Sequence, residues 1–150
     1  MEWQSEVYYK AAVERIQEAL HLHTNGYYVV AMYLSGLAVE CLLRAYRLLE
    51  DSTFDERHDL WLLWKSTLLA NPHSEFYDKR IDSAMSTVKL LWRNDYRFKS
   101  IDSMRKFFKE TRRAHGIKGD ALKYNSQRLF DAAAEIIRIG TQKWHLLRKK

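Results

Sequence analysis

The sequence is short of everything that interrupts a helix. Its 150 residues include one proline and five glycines, and nowhere does apolar and polar character alternate as it does in a half-buried strand. Cysteine is nearly missing too. The lone Cys41 excludes an intramolecular disulfide, and its place in an apolar run gives it the character of a small buried hydrophobe rather than a nucleophile. Without a thiol framework or a signal-peptide pattern at the N-terminus, the expected compartment is the cytoplasm. There is no Gly-rich phosphate loop of the Rossmann or P-loop kind and no Gly-x-Ser-x-Gly elbow. The six histidines are scattered. His21 and His23 stand two apart, on different faces of a helix, and no Cys/His cluster occurs. No metal and no cofactor is therefore expected.

What is present suits a single globular domain over residues 1–150, with 47% apolar and 29% charged residues. The run from Gly26 to Val39 is uncharged, yet it is too short to span a bilayer, and Glu40, Arg44 and Arg47 follow at once. It reads as a buried core helix, with no membrane partner. Charge is divided along the chain. Residues 1–88 hold 8 Lys and Arg against 13 Asp and Glu, a balance of −5. Residues 89–150 hold 17 against 6, a balance of +11, and together they give the net +6. A basic half of this kind is the footprint of a protein that meets phosphates, or of one that meets an acidic partner or second subunit.

The helical period predicts an all-α, up-and-down bundle of four to five main helices. The first spans about Glu2 to His23, with Val7, Ala11, Ile16 and Leu20 near one stripe, and stops at Asn25-Gly26. The second, about Tyr27 to Leu49, is apolar around nearly its whole cylinder and must be covered on most sides. A short third helix is expected from Asp59 to Leu69. A fourth should open at Asn71-Pro72 and run to Trp92, with Phe76, Ile81, Met85, Val88 and Trp92 on its buried face. Arg93 to Ser100 breaks it, and Ile101 to Arg113 forms a further helix. The last starts at Ala121 or Ser126 and runs to Leu147, burying Leu129, Ala133, Ile136, Ile137, Gly140, Trp144 and Leu147.

Two features carry potential chemistry. Glu40 sits in the most apolar helix, where a carboxylate is costly unless paired. The run Trp92-Arg93-Asn94-Asp95-Tyr96-Arg97-Phe98 gathers two Arg, an amide and aromatics at a helix end. A pair between Glu40 and Arg93 or Arg97 is expected, either as a structural staple or as part of a site.

These segments resemble a known family. Gly26-Tyr27-Tyr28, followed by Leu34-Ser35-Gly36-Leu37-Ala38-Val39-Glu40-Cys41-Leu42-Leu43-Arg44-Ala45, is similar to the second-helix signature of HEPN (higher eukaryotes and prokaryotes nucleotide-binding) domains. Arg57-His58-Asp59-Leu60 with Leu63 resembles the start of that family's next helix, and the run from Trp92 to Phe98 stands where the family carries its Arg motif. The resemblance covers most of residues 26–98. It implies a homodimeric helical bundle. Many such proteins are metal-independent ribonucleases, often toxins paired with a nucleotidyltransferase antitoxin. Others lack activity and bind RNA, a nucleotide or a partner protein. Active members carry Arg, four to six residues, then His, with an acid of the second helix holding the Arg. By position these would be Arg93 and Glu40.

The sequence departs from that pattern, because Phe98 and not His stands after Arg93 and the next four residues. Without His the usual general acid/base near neutral pH is missing, while guanidinium groups still suit phosphate. The expectation is a non-catalytic binding module, with Arg93, Arg97, Lys109, Arg112 and Arg113 on nucleic acid and Glu40 orienting an Arg. The alternative is a ribonuclease using His58 or His115 as a non-standard base. Arg15-x5-His21 and Arg138-x6-His145 also match the spacing. With 13 Arg and 6 His, about one or two matches arise by chance, so the spacing alone carries no weight. A third possibility is a structural dimeric adaptor whose seam is made by Trp61, Trp64, Tyr77 and Trp144.

Overall fold

The computed structural model describes residues 2–54 and 59–149. Its helices are α1 (Glu2–Thr24), α2 (Tyr28–Glu50), α3 (Leu60–Lys65), α4 (Lys79–Leu91), α5 (Ile101–Glu110) and α6 (Ala121–Arg148), with 3-10 turns at Leu68–Ala70 and Asn94–Phe98. No strand occurs among the described residues. The chain is an all-α helical bundle, as its periodicity implies.

Helix α2 is the centre of the bundle. Helices α1 and α6 pack on it, and α6 also packs on α4 and α1. Fourteen of the 23 residues of α2 are buried. By length and apolarity α2 could cross a membrane, but 67% of its apolar window is covered by the rest of the fold. Helix α1 meets its neighbours through Ser5, Ala12 and Ala19, all fully buried and spaced by seven. Small residues on one line let two helices approach closely. Of the stripe expected through Val7, Ala11, Ile16 and Leu20, Ala11 and Ile16 pack against the core, while Val7 and Leu20 are exposed. Tyr8 and Tyr9 pack beside the small line as well.

Helix α6 closes the bundle. A Cβ at Gly140 would stand 2.4 Å from Leu42 of α2, so glycine there permits the close contact. The buried Tyr46 hydroxyl donates to the Gly140 carbonyl. Burial holds that phenol well above its ordinary pKa, and it remains a donor. Tyr9 of α1 stacks on Trp144 of α6, with ring centroids 4.9 Å apart and planes 6° from parallel. His23 Nδ1 and Ser126 Oγ, both buried, lie 2.8 Å apart and tie α1 to α6 at another point.

The helix boundaries correct the sequence reading in three places. Helix α3 starts as expected, with Asp59 accepting from the Leu62 N–H. It ends early because Ser66 and Thr67 donate their hydroxyls to the carbonyls of Leu63 and Trp64, a local competition with helix propagation. Asn71-Pro72 does not open α4. Asn71 accepts from the His73 N–H and makes a turn, and α4 begins at Lys79 under an Asp78 cap, whose Oδ1 lies 2.8 Å from the Arg80 N–H. Helix α5 stops at Glu110, and Arg112 takes a left-handed φ of 61° just beyond. Two of the four aromatics expected at a dimer seam, Trp64 and Trp144, belong to the chain's own core, whereas Trp61 and Tyr77 are half-buried.

Candidate nucleic-acid interface

The segment after α4 is anchored by its two buried aromatics. Trp92 leaves the helix in extended backbone, and its indole lies against Gly36 in the middle of α2. A Cβ at position 36 would stand 2.0 Å from Trp92 Nε1, so only glycine admits the ring. The indole N–H donates to the Tyr33 carbonyl at 3.2 Å. Tyr96 is fully buried and its hydroxyl donates to the Leu91 carbonyl. Burial pushes that phenol up to about 12, against the opposing pull of Arg113 and Arg93. With positions 92 and 96 turned inward, the 3-10 turn presents Arg93, Arg97 and Phe98 to solvent.

Phe107 of α5 is the hub of the surface this creates. The guanidinium of Arg93 lies 5.1 Å from its ring centroid, the Lys99 ammonium 5.1 Å and the Arg113 guanidinium 5.3 Å. Tyr96 meets the same ring edge-on at 6.2 Å. Cations near the face of one aromatic are attracted to its quadrupole, so a single ring holds three positive groups close together on one surface.

Each Arg has a distinct local partner. Arg93 donates from Nε and Nη2 to the two carboxylate oxygens of Asp95, at 3.2 and 2.9 Å. Arg97 lies over Phe98 at 4.7 Å. Arg113 donates from Nε and Nη2 to the Leu90 carbonyl, at 3.2 and 2.9 Å, satisfying a carbonyl at the C-terminal end of α4. Beside Arg93 opens a groove of about 480 Å³, within the size range of small-ligand sites. Its walls include Trp61, Met85, Val88 and Trp92, and its rim carries Lys89, Arg93, Asp59, Asn94 and Asp95. The Lys89 ammonium stands 4.3 Å from the Trp61 ring centroid.

The expected pair between Glu40 and Arg93 or Arg97 is replaced by two local ones. Glu40 accepts from Arg44 Nε at 3.2 Å, one turn along the same helix, and Arg44 is buried. Arg93 finds Asp95 two residues on. Partners already adjacent in the chain need little ordering of side chains to meet, so they win over a long-range carboxylate. Glu40 also lies beside Cys41, whose thiol is raised to about 11 by burial first and that carboxylate second. Cys41 is thus a poor nucleophile, in agreement with its reading as a core residue.

The five residues expected on nucleic acid do not all converge. Arg93 and Arg97 share the turn, and Arg113 supports it. Lys109 is two positions from Phe107, about 200° around α5, and lines a second cleft with Phe108, Ile117 and Leu122. Arg112 and His115 are exposed in the turn after α5, where the His115 N–H donates to the Arg112 carbonyl at 3.1 Å. His58 lies outside the described residues. The other spacing matches have local partners too: Arg15 with Glu14 and Glu18, Arg138 with Glu135, and His145 with the Tyr9 hydroxyl at 3.4 Å. Among the described residues, no three His, Cys, Asp or Glu side chains gather as a metal site would require.

Sequence reasoning missed Phe107, Lys99, Asp95 and Lys89 as parts of this surface. Phe107 has core spacing with Met104 and Phe108, but it is only half-buried. The available signal was its setting: an aromatic flanked in sequence by Lys99 and Arg113 is placed to collect cations. Comparison of the chain with protein-family models, curated proteins and solved structures finds no match.

Proposed function

We propose that this chain is a HEPN-type helical module of the cytoplasm that binds RNA and does not cleave it. The observation that carries the reading is the cluster of Arg93, Lys99 and Arg113 around Phe107, with Arg97 exposed beside it. Guanidinium and ammonium groups on a firmly held turn can bind successive phosphates, the main source of affinity in nucleic-acid binding. Binding is favoured over cleavage for two reasons. The position where the resemblance calls for His holds Phe98, so the usual proton shuttle is missing. Glu40, the acid that would hold Arg93, is engaged with Arg44. The same resemblance makes a homodimer the working form and a nucleotidyltransferase the partner protein.

The test is RNA binding by fluorescence anisotropy across a salt series, with RNA integrity followed on denaturing gels. Affinity should fall steeply as salt rises, and the RNA should stay intact with both wild type and Arg93→Ala. Absent or salt-insensitive binding overturns the reading. Cleavage by wild type that is lost in Arg93→Ala replaces it with the ribonuclease alternative. Light scattering should give the mass of two chains.

A further inference from the structure

Phe98 is the most exposed large apolar side chain among the described residues, at 76%. A lone exposed apolar residue is ordinary, but this one is presented by a firm support. The turn beneath it is pinned by buried Tyr96. The Lys99 N–H closes the turn on the Tyr96 carbonyl at 3.1 Å. Helix α5 then starts at once under the reciprocal Ser100–Ser103 capping box. The ring cannot retreat into the core, whose space on this side is filled by Tyr96 and Trp92. It carries the Arg97 guanidinium, and Arg93 and Lys99 stand near Phe107 on the same short segment.

We infer that Phe98 is a stacking platform for one unpaired base of a single-stranded nucleic acid, with Arg97 and Arg93 meeting the flanking phosphates. The inference rests on the RNA-binding reading and names the form of RNA that reading leaves open. An outward aromatic gains most from a ligand that offers a free flat face together with negative charge. An unpaired nucleotide offers both, and base–aromatic stacking is indifferent to which base it is. In a duplex the base faces are already covered by their neighbours. A bilayer offers negative charge as well, but within three positions of Phe98 in the chain only Ile101 adds a large exposed apolar side chain, a small area to hold a lipid interface.

The experiment compares a short uridine oligonucleotide with a blunt RNA duplex of equal length, using wild type, Phe98→Ala and Phe98→Trp. Circular dichroism checks the fold of each variant, and the exposed position makes unfolding an unexpected outcome. Wild type should prefer the single strand. Phe98→Ala should lose roughly ten-fold in affinity for it, keep its weaker duplex binding, and keep its salt slope because no charge is removed. Phe98→Trp should restore the affinity and gain a fluorescence signal quenched by the oligonucleotide. If wild type binds neither RNA, the RNA reading itself falls. If wild type binds both and Phe98→Ala binds the single strand equally well, the RNA reading stands and the platform is overturned. Loss of dimer mass in Phe98→Ala, or a Phe98-dependent affinity for phosphatidylserine vesicles, also overturns it by giving the ring another occupant.

Discussion

At the scale of single residues, carboxylates decide what the arginines can do. Glu40 neutralises a buried guanidinium inside the bundle. Replacing it with Gln removes the charge but keeps the shape, so its effect should fall on stability alone. Glu40→Gln is expected to cost about 1–3 kcal/mol in urea unfolding and to leave RNA affinity unchanged. A loss of affinity with stability intact would return Glu40 to the site. Asp95 acts at the surface, where its two oxygens hold Arg93. A phosphate must compete with that carboxylate. Asp95→Asn should therefore raise RNA affinity several-fold and steepen the salt dependence by about one charge. Unchanged anisotropy curves would mean that Arg93 does not meet the ligand. The Arg93–Asp95 pairing was not legible in the sequence, because a sequence shows which charges are near in the chain but not which way each side chain leaves the backbone. Glu40 to Arg44 is an ordinary helical spacing. The family resemblance places Glu40 with Arg93 instead, and the nearer guanidinium holds it.

At the scale of elements, α2 and α6 could be read because their apolar residues repeat with the helical period. Of the buried stripe expected on α6, Leu129, Ala133, Ile136, Ile137, Gly140 and Trp144 are buried and Leu147 is half-buried. The buried face of α1 was legible only in part, at Ala11 and Ile16, because its innermost positions are Ser5, Ala12 and Ala19, which carry little hydrophobic signal of their own. The start of α4 was misread because Asn followed by Pro serves a turn as well as it serves a cap. Its true cap, Asp78, provides a test at low pH. The Arg80 side chain and backbone N–H hold the Asp78 carboxyl down to about 2, below its usual value. A carboxyl depressed in the folded state contributes stability that is complete above its unfolded pKa and is lost as pH falls through the folded one. The relevant window is from about 4 down to about 2. Asp78→Asn keeps a capping group and loses the charge. It should be less stable than wild type near neutrality, with the gap closing as pH falls through that window in urea melts. A gap independent of pH would show that the cap matters and the charge does not.

At the scale of the whole molecule, the basic half of the chain does not become one continuous basic face. Arg113 also donates to the end of α4 and Arg93 to Asp95, while Lys109 lies around α5 from the Phe107 cluster. Net charge was legible in the sequence, but its division among faces required the fold. This makes the contributions separable. Arg97→Ala should lower RNA affinity and reduce the salt slope by about one. Lys109→Ala should do so only where the RNA is long enough to reach past α5. Equal effects on a short oligonucleotide would place both residues on one path.

The stack of Tyr9 on Trp144 has a consequence for the order in which the molecule is made. Tyr9 and the neighbouring His145 are 136 positions apart in the chain. At about 5–20 residues per second, α1 emerges from the ribosome on the order of ten seconds before its last partner. During that interval α2 is covered by α1, α3 and the Trp92 turn, while its apolar flank toward α6 stays open. The newborn chain is then a bundle open on one side, and this is the stage at which a chaperone has most to grip. Synthesis of Trp144 ends that stage, when the last helix covers the first two together.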